Sequence, residues 1–324
     1  MFLRFNRATG SLLWVLVWGT LFTSCARPPQ SEYLHGNTMG TSYTVHYVAD
    51  ASSSTTLQPK IDALLNEIED ELSNWRPQSW ISQFNAAPAS QAVPVPAHAF
   101  HVIRLCLNLA EQSHGAFDPT VSPLVELWGF GTKRGQIVPL TATIATTRQL
   151  VEYRRLVLDT TNFTLLKTGP GIELNCSAVA KGYAVDQIAV LLRAAGITDF
   201  LINIGGELFA EGNSVDGTPW AVAIRRPDRT PVSEDLFALS AQAMATSGHT
   251  ERAFFAEGRR YSHIIDPRTG FPVEPTIASA TIIAPTCALA DGLATLALVL
   301  NEAEMTKFLV TYPTVKLIRT PWEN

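Results

Sequence analysis

Asp291 and Thr295 stand four residues apart in Cys287–Leu300, CALADGLATLALVL, a run whose other side chains are small or aliphatic. On a helix, residues i and i+4 share a face, with Cβ atoms about 6 Å apart. A carboxylate and a hydroxyl so placed can ligate one small hard cation. Magnesium takes oxygen ligands and uses only one or two carboxylates, leaving the rest to phosphate oxygens and water. A structural alternative has the Asp capping the helix or pairing with an Arg, and the Thr bonding back to a carbonyl. This run alone favours the structural alternative.

A second segment, Glu173–Asp186, reads ELNCSAVAKGYAVD. A polar strand end and small residues lead to Lys181-Gly182 at the opening of an apolar helix. Helix N-terminal amides with a lysine make a phosphate cradle. The spaced glycines and following Ser/Thr of a P-loop are missing, and a tight turn with a solvated lysine fits equally well. In YSHIIDPRTGFP (Tyr261–Pro272), His263 could accept a proton from an attacking hydroxyl, with Asp266 to orient its ring. A lone histidine is more often structural. Ser247-Gly248 in MATSGH offers a further phosphate contact. The loop Ser113–Gly131, SHGAFDPTVSPLVELWGFG, could wall a flat ring system or simply pack Phe117 and Trp128 into the core. There is no G-x-S-x-G elbow and no G-x-G-x-x-G, which disfavours a serine hydrolase and a Rossmann site.

These segments need elements to position them. With 324 residues, 46% hydrophobic and 16% charged, the chain can bury a sizeable core. Its net charge of −5 and lack of a basic run argue against nucleic acid as a partner. No internal period points to a repeat architecture. Ser42–Ala49 alternates as a strand. Ile61, Leu64, Leu65, Ile68 and Leu72 define an amphipathic helix stopped by Pro77. Further helices are expected from about Phe100 to His114, capped by Gly115, and from Ala178 to Gly196. The last helical region, Cys287–Leu309, breaks near Asn301. LVLD and FTLLKT read as a hairpin; FLINIGG, WAVAIRR, ASATIIAP and VKLIR read as strands. Hairpins mixed with helices predict an α+β fold with mixed or antiparallel sheets and packed helices.

At the N-terminus, Arg4 and Arg7 precede the apolar SLLWVLVWGTLF, and LFTSC follows with Cys25. This resembles a bacterial lipobox, with Phe22 where Leu is preferred. It predicts a lipoprotein signal peptide over 1–24, lipidation of Cys25, a tether over 25–34 and one domain over 35–324. Cys106, Cys176 and Cys287 sit in apolar segments and read as free core thiols.

In order along the chain, GNTMGTSYTV, LSNWRPQSWISQFN, GAFDPTVSPLVELWGFG, CSAVAKGYAVD, NIGGE, TSG, SHIIDPRTG and ADGLAT resemble the ApbE family of FAD:protein FMN transferases. The resemblance spans about Gly36 to Leu300. It implies magnesium-dependent transfer of FMN from FAD to a Thr or Ser hydroxyl of a target flavoprotein, with release of AMP. Asp291, Thr295 and the backbone carbonyl of Ala178 would ligate the magnesium, and His263 would be the general base. Met39 and Trp75 would pack on the flavin; the family usually has Tyr at the second position. Ala116, Phe117 and Asp118 would line the FAD site, Lys181 would meet the nucleotide, and Ile264 or Ile265 would contact FAD. Asn175 stands where the family often has Asp, losing a charge but keeping hydrogen-bonding capacity. The implied setting is the bacterial periplasm, with a membrane lipid anchor and periplasmic or membrane-bound acceptor subunits. A magnesium-dependent FAD pyrophosphatase and a non-catalytic FAD-binding lipoprotein are the alternatives.

Overall fold

The computed structural model describes residues 30–49, 57–131, 137–224, 236–249 and 253–322. The leader over 1–24, Cys25, residues 26–29 and the last two residues of WAVAIRR lie outside these.

Strands β1 (Gln30–Thr38) and β2 (Thr41–Ala49) form a hairpin in full register, Thr38 opposite Thr41. Its two turn residues, Met39 and Gly40, both have positive φ, 49° and 74°. That is the left-handed requirement of a two-residue turn matched to strand twist. Residues 30–34, expected in the tether, belong to β1: its half-buried positions alternate with exposed ones, and β2 supplies a full backbone ladder.

The amphipathic pattern becomes α1 (Leu57–Leu72), with Leu57, Ile61, Leu65, Ile68 and Leu72 buried. A short α2 (Trp80–Ala86) follows, capped by the Ser79 hydroxyl, and then β3 (Val93–Pro94). α3 (Ala97–Gln112) starts directly after Pro96, earlier than expected, and Gly115 at φ 81° turns the chain out of it. Next come α4 (Ser122–Leu127), α5 (Thr141–Arg148) and the expected hairpin, β4 (Leu156–Asp159) with β5 (Thr164–Lys167). α6 spans Ser177–Ala194. A Gly205-Gly206 turn joins β6 (Phe200–Ile204) to β7 (Glu207–Glu211). After the small hairpin β8 (Trp220–Ala223) and β9 (Leu236–Leu239) come β10 (Gln242–Gly248), the hairpin β11 (Ala253–Ala256) and β12 (Arg259–Ser262), and β13 (Ser279–Ala284). α7 (Cys287–Val299) and α8 (Glu302–Leu309) are separated at Asn301, which forms a capping box with Glu304; β14 (Lys316–Thr320) ends the fold.

The main sheet has the order β1-β2-β6-β7-β10-β13-β14, with every neighbouring pair antiparallel. Helices α6 and α7 pack together against β6, β7, β10 and β13. Alternation sorts the two faces. On β10, Ala243 and Ala245 join the helix-side core, whereas Met244 joins Trp220, Val222 and Leu239 of the β8–β9 layer opposite. β13 is therefore buried along its whole length. The thiols of Cys106, Cys176 and Cys287 are free and fully buried, as expected. Among the described residues, no helix is long and apolar enough to cross a membrane.

Candidate active site

α6 and α7 cross so closely at Gly182 that a Cβ there would lie 2.3 Å from the Cys287 carbonyl oxygen. No side chain fits against backbone at that distance, so only glycine permits the crossing. Two carboxylates cement it, Asp186 half-buried and Asp291 buried. Asp186 accepts from the amides of Cys287 (2.8 Å) and Ala288 (2.9 Å), capping α7, and burial pushes its pKa up to about 6. Asp291, 3% exposed, accepts from the Gly182 amide at 3.0 Å. Burial raises its pKa, and Lys181 and the Gly182 bond pull the other way.

In a helix the Gly182 amide is the donor assigned to the Ala178 carbonyl. Here that amide also reaches Asp291, which brings the Ala178 backbone and the Asp291 carboxylate to one place. One turn on, the Thr295 hydroxyl lies 3.2 Å from that of Ser247 at the end of β10. Carboxylate, hydroxyl and carbonyl form an all-oxygen donor set. This fits magnesium rather than a soft metal.

Asp291, Thr295, Ala178 and Lys181 line one cleft of about 1030 Å³, and so do Met39, Trp75, Ala116, Phe117, Asp118, Asn175, His263, Ile264 and Ile265. The expected site residues among the described residues therefore meet, though separated by up to 256 positions (39 to 295). Met39 projects from the strained hairpin turn, where Glu69 accepts from its amide (2.6 Å) and from the Thr38 hydroxyl (2.9 Å). Trp75 stands at the cleft with 61% of its surface exposed, a ring with little protein to stack on. Asn175 donates to the Ser122 hydroxyl and accepts from the Ser177 amide, bracing the start of α6. A carboxylate could accept at both places, so what Asn175 changes is the charge.

Asp118 lines the cleft as expected, and its carboxylate braces that wall: Oδ1 accepts from the amide and hydroxyl of Thr120, and Oδ2 from the Tyr153 amide. One expectation needs correction. Asp266 was expected to orient His263. Its two oxygens instead engage the Arg268 guanidinium, because the PRTG turn folds Arg268 back on it. The turn is closed by the Gly270 amide on the Asp266 carbonyl at 2.8 Å. The His263 ring lies edge-on to Phe130, with centroids 6.3 Å apart.

Sequence reasoning missed Glu207, His249 and Glu69. Glu207 opens β7, pairs with Lys181 and lines the same cleft. His249 is buried, with Nδ1 2.8 Å from the Ser262 hydroxyl, and that hydroxyl accepts from the Ile264 amide at 3.2 Å. Desolvation, with the nearby His263 and Arg260 charges adding, lowers the His249 pKa to about 4. The acidic residue directly after the Gly-Gly turn was the one available signal for Glu207.

Comparison with known proteins agrees with this architecture. The family model described as "ApbE family" matches residues 39–318. An FAD:protein FMN transferase of Vibrio cholerae is 37% identical over 287 residues, covering 87% of this chain and 85% of that protein. The solved flavin transferase ApbE from Vibrio cholerae superposes with a TM-score of 0.83 at 35% identity, covering 90% of this chain and 94% of that one. The apo flavinyl transferase ApbE of Pseudomonas stutzeri gives 0.82 at 34% identity, with 91% and 92% covered. The family match runs from the Met39 turn to β14 and takes in every residue placed in the cleft, so the chain belongs to the ApbE family.

Proposed function

We propose that this protein transfers FMN from FAD to a Thr or Ser hydroxyl of a target flavoprotein. The observation that carries this reading is the cleft floor, where Asp291, Thr295 and Lys181 converge beside a wall that holds His263. The acceptor hydroxyl oxygen attacks the phosphorus of the FMN half. The diphosphate P–O–P bond breaks, AMP leaves, and the hydroxyl proton passes to His263. A neutral imidazole suits that task at neutral pH. Asp291, Thr295 and the Ala178 carbonyl would hold magnesium, which when bound neutralises charge on the diphosphate. Lys181 contributes a second positive charge there. Met39 and Trp75 offer apolar surface to the isoalloxazine, with the Ala116–Phe117 backbone and Ile264 or Ile265 along the wall.

The leader and Cys25 support a periplasmic protein anchored to a membrane by lipid, with acceptors that are periplasmic or membrane-bound electron-transfer subunits. The test of the reaction is AMP release from FAD and magnesium with and without an acceptor. Transfer requires release that depends on the acceptor; equal release without it assigns the protein as a pyrophosphatase.

A further inference from the structure

Glu207 is the first residue of β7 and shares the helix-facing side of the sheet with Phe209. It is 2% exposed and lines the cleft. One oxygen engages the Lys181 ammonium; the other, Oε2, is buried with no hydrogen-bond partner among the described residues. A buried carboxylate with one idle oxygen is expensive, and a buried ion pair adds little net stability over an apolar pair of the same size. Packing therefore does not account for a glutamate here.

The asymmetry of the pair points to its use. The Lys181 side chain is 31% exposed and that of Glu207 only 3%. Glu207 is the fixed member, set by the Gly205-Gly206 turn and the sheet ladder. Lys181 lies on the cleft side, on a long flexible stem whose freedom a ligand would otherwise have to remove. We propose that Glu207 is a positioning residue that holds the Lys181 ammonium at the diphosphate position before the nucleotide arrives. This rests on the reading that the cleft binds FAD through Lys181. Ordering a binding group in advance strengthens binding by removing the cost of ordering it later.

The test is FAD and riboflavin affinity, measured by flavin fluorescence in the presence of a chelator so that no metal contributes. Burial and the neighbouring Asp291 charge push the Glu207 pKa up to about 8 against the pull of Lys181. Affinities are therefore read at about pH 9, where the carboxylate is ionised. There Glu207→Gln keeps the shape and an acceptor oxygen but removes the charge. It should weaken FAD binding by about three- to tenfold and leave riboflavin, which has no phosphate, unchanged. Lys181→Met should weaken FAD by at least as much. The double variant should bind no worse than Lys181→Met, because Glu207 acts through that lysine. Should Glu207→Gln fail to fold, Glu207→Met, of similar volume and uncharged, takes its place. Wild-type FAD affinity in the Glu207 variant, an equal loss for riboflavin, or additive losses in the double variant would overturn the inference. Absence of FAD binding by the wild type would overturn the functional reading itself.

Discussion

The Gly182 amide and the Asp291 carboxylate meet at 3.0 Å where α6 and α7 cross. This one bond ties the cleft-facing start of α6 to the charged position of α7. It explains how an apolar helix keeps a buried carboxylate: a backbone donor holds it, and the Lys181 charge lies close enough to favour its ionised form.

Asp291→Asn preserves the shape of the side chain and loses the negative charge. Turnover should fall a hundredfold or more, as expected when a metal-bound carboxylate is lost from a phosphoryl-transfer site. Thr295→Ala should be milder, about tenfold, since water can replace a neutral oxygen ligand. Magnesium titrations of both variants check this. Near-normal turnover of Asp291→Asn at saturating magnesium removes the ligand assignment.

His249 is buried with a pKa lowered to about 4, against about 6.5 when exposed. A lowered pKa in the folded state means the unfolded chain binds the extra proton first. The stability contribution is therefore present above about pH 6.5 and is lost as pH falls toward 4. The upper limit is about 3 kcal/mol, less whatever water access to the ring removes. Denaturant unfolding of the wild type and His249→Gln between these pH values should show a steeper loss in the wild type. Parallel slopes would contradict the assignment.

His263→Ala should bind FAD almost normally yet transfer FMN about a hundred- to ten-thousand-fold more slowly, the usual contribution of a general base. The acidic limb of the pH–rate profile should disappear with the ring. FAD affinity and single-turnover rate measured together decide the matter. A defect that vanishes at saturating FAD makes His263 a packing residue only.

Cys25→Ser should move the protein from the membrane fraction to the soluble periplasmic fraction with its chemistry unchanged. A wild type that fractionates as soluble contradicts lipidation.

The legible residues were those that contradict their local context. Asp291 and Thr295 stand out in an aliphatic run, whereas Met39 and Trp75 were legible only through the family resemblance. α1 was legible from its periodicity, and α6 and α7 as long runs of small and aliphatic residues, which is why all three were expected nearly as they occur. β1 was not, because an edge strand half-buried on one side has little apolar alternation. The short helices α2, α4 and α5 carry too few turns to show a period. Glu207 was obscure for another reason: its partner Lys181 lies on a different element, and only the packing of α6 on β7 joins them. The Arg268 clamp on Asp266 is local, but it depends on how the PRTG turn folds, and composition does not give that geometry.

The most direct measurement is the intact mass of a candidate acceptor flavoprotein subunit after incubation with this protein, FAD and magnesium, followed by peptide mapping. The account predicts one FMN added by phosphoester to a single Thr or Ser, with one AMP released for each FMN gained. Free FMN and AMP beside an acceptor of unchanged mass would contradict it.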